Sequence, residues 1–153
     1  MRTGIRILLL AVALPLLSAA GERGNRATCV GGTVAELPDK ADGILYTTFE
    51  QALFFQTKTV TVQVPYENVN LLEYGQKASR RYALAIVVSP MLLLSKKRSH
   101  YLTVGYVNGQ GRQQALVLQL GKNNVRAVLA SLEAKTGRKV QYQDYEARKG
   151  GGE

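Results

Sequence analysis

The sequence predicts a mainly β domain closed by one C-terminal helix, and three observations carry that expectation. Short runs rich in Val, Thr, Tyr and Phe, bounded by Gly, Pro, Asn and Asp, recur from Thr28 to Leu120. One of them, Thr59-Val60-Thr61-Val62-Gln63-Val64, alternates strictly between apolar and polar residues. Near Val125 the apolar period changes from two to that of a helix.

Taken in order, the runs place strands near Thr28–Ala35, Ile44–Thr48, Leu53–Thr57, Val60–Val64, Val69–Tyr74, Tyr101–Val107 and Gln114–Leu120. In the alternating run, Val60, Val62 and Val64 share one face, the mark of a half-buried strand. Pro65 lacks the N–H that a ladder needs and ends it. Asn108-Gly109-Gln110-Gly111 supplies residues tolerant of positive φ between two strand-like runs, so Tyr101–Leu120 is expected to be a hairpin. Leu102, Val104 and Tyr106 would then share a face with Leu116, Leu118 and Leu120. Gly31-Gly32 reads as a turn or bulge, because the strand–loop–helix context of a phosphate cradle is missing.

Val125, Val128, Leu129 and Leu132 follow the i, i+3, i+4, i+7 rule of an amphipathic helix. Asn123 or Asn124 is placed to cap its start, Lys135 suits the negative end of its dipole, and Gly137 stands where a left-handed residue is wanted. One face of this helix must cover apolar surface, so the simplest arrangement is a curved sheet with the helix plugging its open end. Val140-Gln141-Tyr142 is expected to add an edge strand, and Arg148 to Glu153 to be disordered.

The N-terminus has the pattern of a secretory signal. Arg2 and Arg6 precede an apolar stretch from Ile7 to Leu17, and Ser18-Ala19-Ala20 puts small residues at a cleavage site. The expected organisation is a signal peptide over 1–20, a flexible arm over 21–27, one domain over 28–145 and a disordered tail over 146–153. An exported protein of the periplasm or the extracellular space follows, with no transmembrane span after cleavage. Residues 21–153 carry eighteen basic and eleven acidic residues, a formal charge of +7. Cys29 is the single cysteine, which excludes an intramolecular disulfide, and it is expected to be buried.

Catalytic chemistry finds little support. His100 is the one histidine, and no acidic residue lies between Glu73 and Glu133 to orient it as a base. A zinc site would need further His or Cys ligands, and no Ser or Thr sits in a nucleophile elbow. No enzyme activity, metal or cofactor is expected; an enzyme remains the remote alternative.

Binding is the better expectation. The acid-free span from Gln76 to Leu132 is basic, and Lys77, Arg80, Arg81, Lys96, Lys97 and Arg98 bracket one apolar run, Tyr82 to Leu94. With Met91, Leu92 and Leu93 in that run, these are the candidate binding residues. As an exposed loop the run could enter an anionic lipid surface while its flanks meet headgroups. As core it would be buried strand or helix, with the cations merely solvated. A second basic group is Arg138-Lys139 with Arg148-Lys149, and an exposed sheet edge could accept a partner strand. Nucleic acid is the poorer fit, since the tyrosines read as strand residues and not as a stacking platform.

Val64-Pro65-Tyr66-Glu67-Asn68-Val69, Leu72-Glu73-Tyr74-Gly75, Ser95-Lys96-Lys97-Arg98 with His100, and Leu132-Glu133-Ala134-Lys135-Thr136-Gly137-Arg138-Lys139-Val140 together resemble uncharacterised exported bacterial proteins with pleckstrin-homology-like (PH-like) domains. The resemblance covers about Gly32 to Arg148. It implies a curved sheet or partly open barrel of about seven strands and a C-terminal helix, and it carries no assigned activity or binding residues. The expected function is therefore a non-enzymatic binding or scaffolding domain with a protein partner in the cell envelope. Peripheral binding to an anionic membrane surface through residues 82–94 and their basic flanks is the alternative.

Overall fold

A computed structural model describes residues 24–38, 40–77, 87–88 and 99–152. Among the described residues nine strands run in chain order: β1 Asn25–Gly32, β2 Ala41–Tyr46, β3 Ala52–Gln56, β4 Thr61–Pro65, β5 Val69–Gly75, β6 Val87–Val88, β7 His100–Val107, β8 Gln113–Leu120 and β9 Gln141–Tyr142. Helix α1 spans Val125–Thr136, and α2 spans Tyr145–Gly151. All seven strands expected from the sequence are present, each within a few residues of its predicted bounds.

The strands form one sheet in the order β4-β3-β2-β1-β8-β7-β5-β9, with β6 pairing to β1 off that path. Every pairing is antiparallel except β5 with β9. The sheet is open, with β4 and β9 at its two edges, and does not close into a barrel. The corner between β4 and β5 is a single 3-10 turn, Tyr66–Asn68, and the free side of β5 is taken by β9 instead of by β4. As the last residue of an edge strand, Pro65 sits where its missing N–H does no harm.

The inner face carries the main core. Leu45, Leu53, Phe55 and Val64 from β2, β3 and β4 meet Leu72, Tyr74, Leu102, Val104, Leu116 and Leu118. The β7–β8 hairpin has the expected register, with Leu102 opposite Leu118 and Val104 opposite Leu116. Asn108 holds its loop, its side-chain oxygen accepting from the backbone N–H of Gln110 and of Arg112, while Gly111 takes positive φ.

Val125, Val128, Leu129 and Leu132 of α1 are buried on this inner face. Ser131 Oγ donates to the Thr47 carbonyl at 2.9 Å, and Tyr66 Oη donates to the same oxygen at 3.1 Å, tying the helix to the β2–β3 connection and to the corner turn. Gly137 ends α1 at φ 67°, as the sequence predicts. The start differs in its chemistry: Asn124 holds the N-cap position but has helical dihedrals and makes no side-chain cap bond.

Two boundaries also move. The arm expected to end at Ala27 is already strand from Asn25, because Asn25 to Cys29 pair with Leu45 to Ala41. The tail expected to be disordered forms α2. Asp144 caps it by accepting from the Ala147 N–H at 2.7 Å, and Ala147 and Gly151 are buried. Among the described residues no helix is long and apolar enough to cross a membrane.

The sheet is also buried on part of its outer face. A shift of register between Cys29 and Gly31 is the bulge that the Gly31-Gly32 pair suggests. Val30, Tyr101, Ala115 and Val117 form a second buried cluster, and Glu73, Thr103 and Val117 align across neighbouring strands. Glu73 is only 2% exposed, and its Oε1 accepts from Gln143 Nε2 at 2.8 Å.

Candidate functional site

Register places several chain ends at one end of the sheet. Ala27 lies opposite Leu120, His100 opposite Leu120, and Gly75 opposite Tyr101. Arg26 lies opposite Ile44, and Ile44 opposite Gln56. The starts of β1 and β7 and the ends of β5 and β8 therefore share this end, and the stagger of the sheet brings the end of β3 level with Arg26. An open cavity of about 740 Å³ lies beside Arg26, lined by Arg26 and Thr28, Asp42 and Ile44, Gln56 and Lys58, and Gln119 to Gly121.

This end is basic. Arg26, Lys58, Lys77 and Lys122 are exposed there and make no hydrogen bond or ion pair among the described residues. Asp42 is the acid in the cavity, and its Oδ1 accepts from Thr28 Oγ1 at 2.6 Å. The far end is different. Lys135 pairs with Glu50 at 2.7 Å, Lys139 approaches Glu133 at 3.9 Å, and Arg138 Nε donates to the Val69 carbonyl. Arg138-Lys139 and Arg148-Lys149 do not make one cluster: Arg138 reaches the start of β5, whereas α2 lies beside its end, with Gln76 Nε2 donating to the Glu146 carbonyl.

His100 stands at the same end, inside a strand and half-buried, not in a surface turn. Tyr74 Oη meets its Nδ1 at 2.5 Å, with the rings nearly parallel. Burial and the Lys122 charge push the imidazole pKa below its ordinary value of 6.5, and burial pushes the Tyr74 phenol up to about 12. Near neutrality both groups are therefore uncharged, and the imidazole tautomer sets which of the two donates.

The sign of the linkage follows. A histidine with a depressed folded pKa binds its proton more readily when unfolded, so its contribution is present above pH 6.5 and is lost as pH falls below it. The urea midpoint of His100→Gln should accordingly fall less between pH 7.5 and pH 5.5 than that of the parent. Equal falls would show that His100 titrates normally in the fold.

Of the residues singled out from the sequence, Lys77 is exposed at the basic end. Arg80, Arg81, Met91, Leu92, Leu93, Lys96, Lys97 and Arg98 lie outside the described residues. The flanks of that segment join the fold at the basic end, where the Ser99 N–H donates to the Gln76 carbonyl at 3.3 Å. Within the apolar run, Val88 and Val87 pair with Gly31 and Gly32, in the half of β1 away from that end.

Arg26, Lys58 and Lys122 escape a reading by sequence, since each is an isolated cation and only strand register unites them. Cys29 is buried as expected, its Sγ beside the Gly31 carbonyl, and burial raises its pKa so that it stays a thiol. Among the described residues no group of three or more His, Cys, Asp or Glu gathers as a metal site would require. The chain matches no protein-family model, and no curated protein matches it.

Proposed function

We propose that this chain is an exported bacterial binding or scaffolding domain, PH-like and non-enzymatic, that engages an anionic partner in the cell envelope through its basic end. The observation that carries the reading is that Arg26 and Lys58 line one open cavity and Lys122 follows Gly121 at its rim, all three exposed and, among the described residues, without a hydrogen bond or ion pair. An acidic protein surface and an anionic membrane surface are both partners of that chemistry, and aligned cations raise the encounter rate with either.

Several features support the wider reading. Seven long strands follow one antiparallel path opened between β4 and β5, and the C-terminal helix covers the inner face, an order compatible with a PH-like domain. The charged start, apolar stretch and small-residue end of residues 1–20 support export to the periplasm or beyond. A buried thiol suits an oxidising compartment. A binding role is favoured over catalysis because the Nδ1 of His100 is engaged by a buried, high-pKa tyrosine and not by a carboxylate.

Retention on immobilised heparin tests the reading. The protein should be retained at low salt, and Lys58→Glu with Lys122→Glu should elute at clearly lower salt, because exposed charges act through a screened field. Passage of the parent without retention would count against an anionic partner of any kind.

A further inference from the structure

The basic end is also the end from which the N-terminal chain departs. Strand β1 begins at Asn25, opposite Leu45 and one residue from Arg26. The 23 residues before Gly24, which contain the apolar stretch from Ile7 to Leu17, therefore connect to the fold beside Arg26 and the cavity. Until residues 1–20 are cleaved, their place in the membrane keeps the end that carries Arg26 and Lys122 near the bilayer during export. The paired cations, Lys135 with Glu50 and Lys139 with Glu133, lie at the other end.

We infer that the basic end is a docking surface for an anionic phospholipid bilayer, on which the domain rests by electrostatic contact of Arg26, Lys58, Lys77 and Lys122. The inference rests on the anionic-partner reading and narrows it to one partner. Charge complementarity favours the contact, because each Lys or Arg close to an anionic leaflet strengthens attachment and the attraction decays within a Debye length. The attachment needs no insertion of the apolar run. Val87 and Val88, the described part of that run, join the sheet beside Gly31 and Gly32.

Co-sedimentation of the exported protein with vesicles tests this, using phosphatidylglycerol mixed with phosphatidylcholine against phosphatidylcholine alone. The anionic vesicles should bind it and the neutral ones should not, with binding lost at high salt. Lys58→Gln with Lys122→Gln should weaken partitioning on the order of 30-fold, roughly fivefold for each cation removed. Arg112→Gln with Lys139→Gln, at the far end, should leave it within about twofold of the parent. Both pairs are exposed, and circular dichroism identifies any variant that has lost its fold. Equal binding to both vesicle types, or equal losses in the two double variants, would overturn the proposal. Retention on heparin without vesicle binding would overturn it too, leaving a protein or acidic-glycan partner. Failure on both supports would remove the anionic-partner reading itself.

Discussion

Replacing Leu132 by Ala should lower the stability of the domain by about 2 to 5 kcal/mol, read as a fall in the urea midpoint at unchanged slope. Leu132 is 0% exposed and belongs to the stripe by which α1 covers the inner face. Its removal costs the transfer energy of the side chain and leaves a cavity between the helix and the sheet, which cannot collapse while Ser131 and Tyr66 hold Thr47. Ala130→Ser, on the exposed side of the same helix, should change stability by less than about 0.5 kcal/mol. A loss at Leu132 no larger than at Ala130 would mean that α1 does not seal the core.

The second large effect belongs to the C-terminal segment. Ala147 is 0% exposed in α2, and Gly151 of the same helix approaches the Tyr142 ring so closely that a Cβ there would collide with it. Ala147→Asp should destabilise the fold by roughly 3 kcal/mol or more, because a carboxylate would enter the core without a partner. Tyr145→Ser, 69% exposed, should be nearly silent. Parallel small effects at both positions would return this segment to the disordered tail that its composition suggests.

The contrast between those two helices shows where the sequence was legible. Helix α1 has twelve residues and an apolar stripe of the right period, so its existence and its buried face follow from spacing alone. Helix α2 has seven residues, and its buried positions are Ala147 and Gly151, which are too small to register as an apolar pattern. Its signal was the cap: Asp144 bonds the N–H three residues on, and an Asp before a short polar run is weak evidence by itself.

Strands divide in the same way. Thr61 to Val64 alternates in the sequence and in burial, as a half-buried edge strand must. Ala115-Leu116-Val117-Leu118 does not alternate, and all four are buried, Leu116 and Leu118 inside, Ala115 and Val117 in the outer cluster. That unbroken run was the available sign of burial on both faces. The bulge after Cys29, which changes the pairing register before Gly31, needs long-range pairing to be located.

The candidate site was less legible than the fold. A charge run such as Lys96-Lys97-Arg98 is conspicuous in a sequence, whereas Arg26, Lys58 and Lys122 lie far apart in the chain and meet only through the register of β1, β3 and β8. His100 was noticed for its rarity, but its engagement by Tyr74 depends on the pairing of β5 with β7.

The most direct test of the central claim compares two charge reversals of equal size on immobilised heparin. Lys58→Glu with Lys122→Glu alters the basic end, and Arg112→Glu with Lys139→Glu alters the opposite end by the same net charge. The basic-end variant should elute at markedly lower salt than the far-end variant, which should stay close to the parent. Coincident elution of the two variants would show that net charge alone governs retention, and would contradict a binding surface at the basic end.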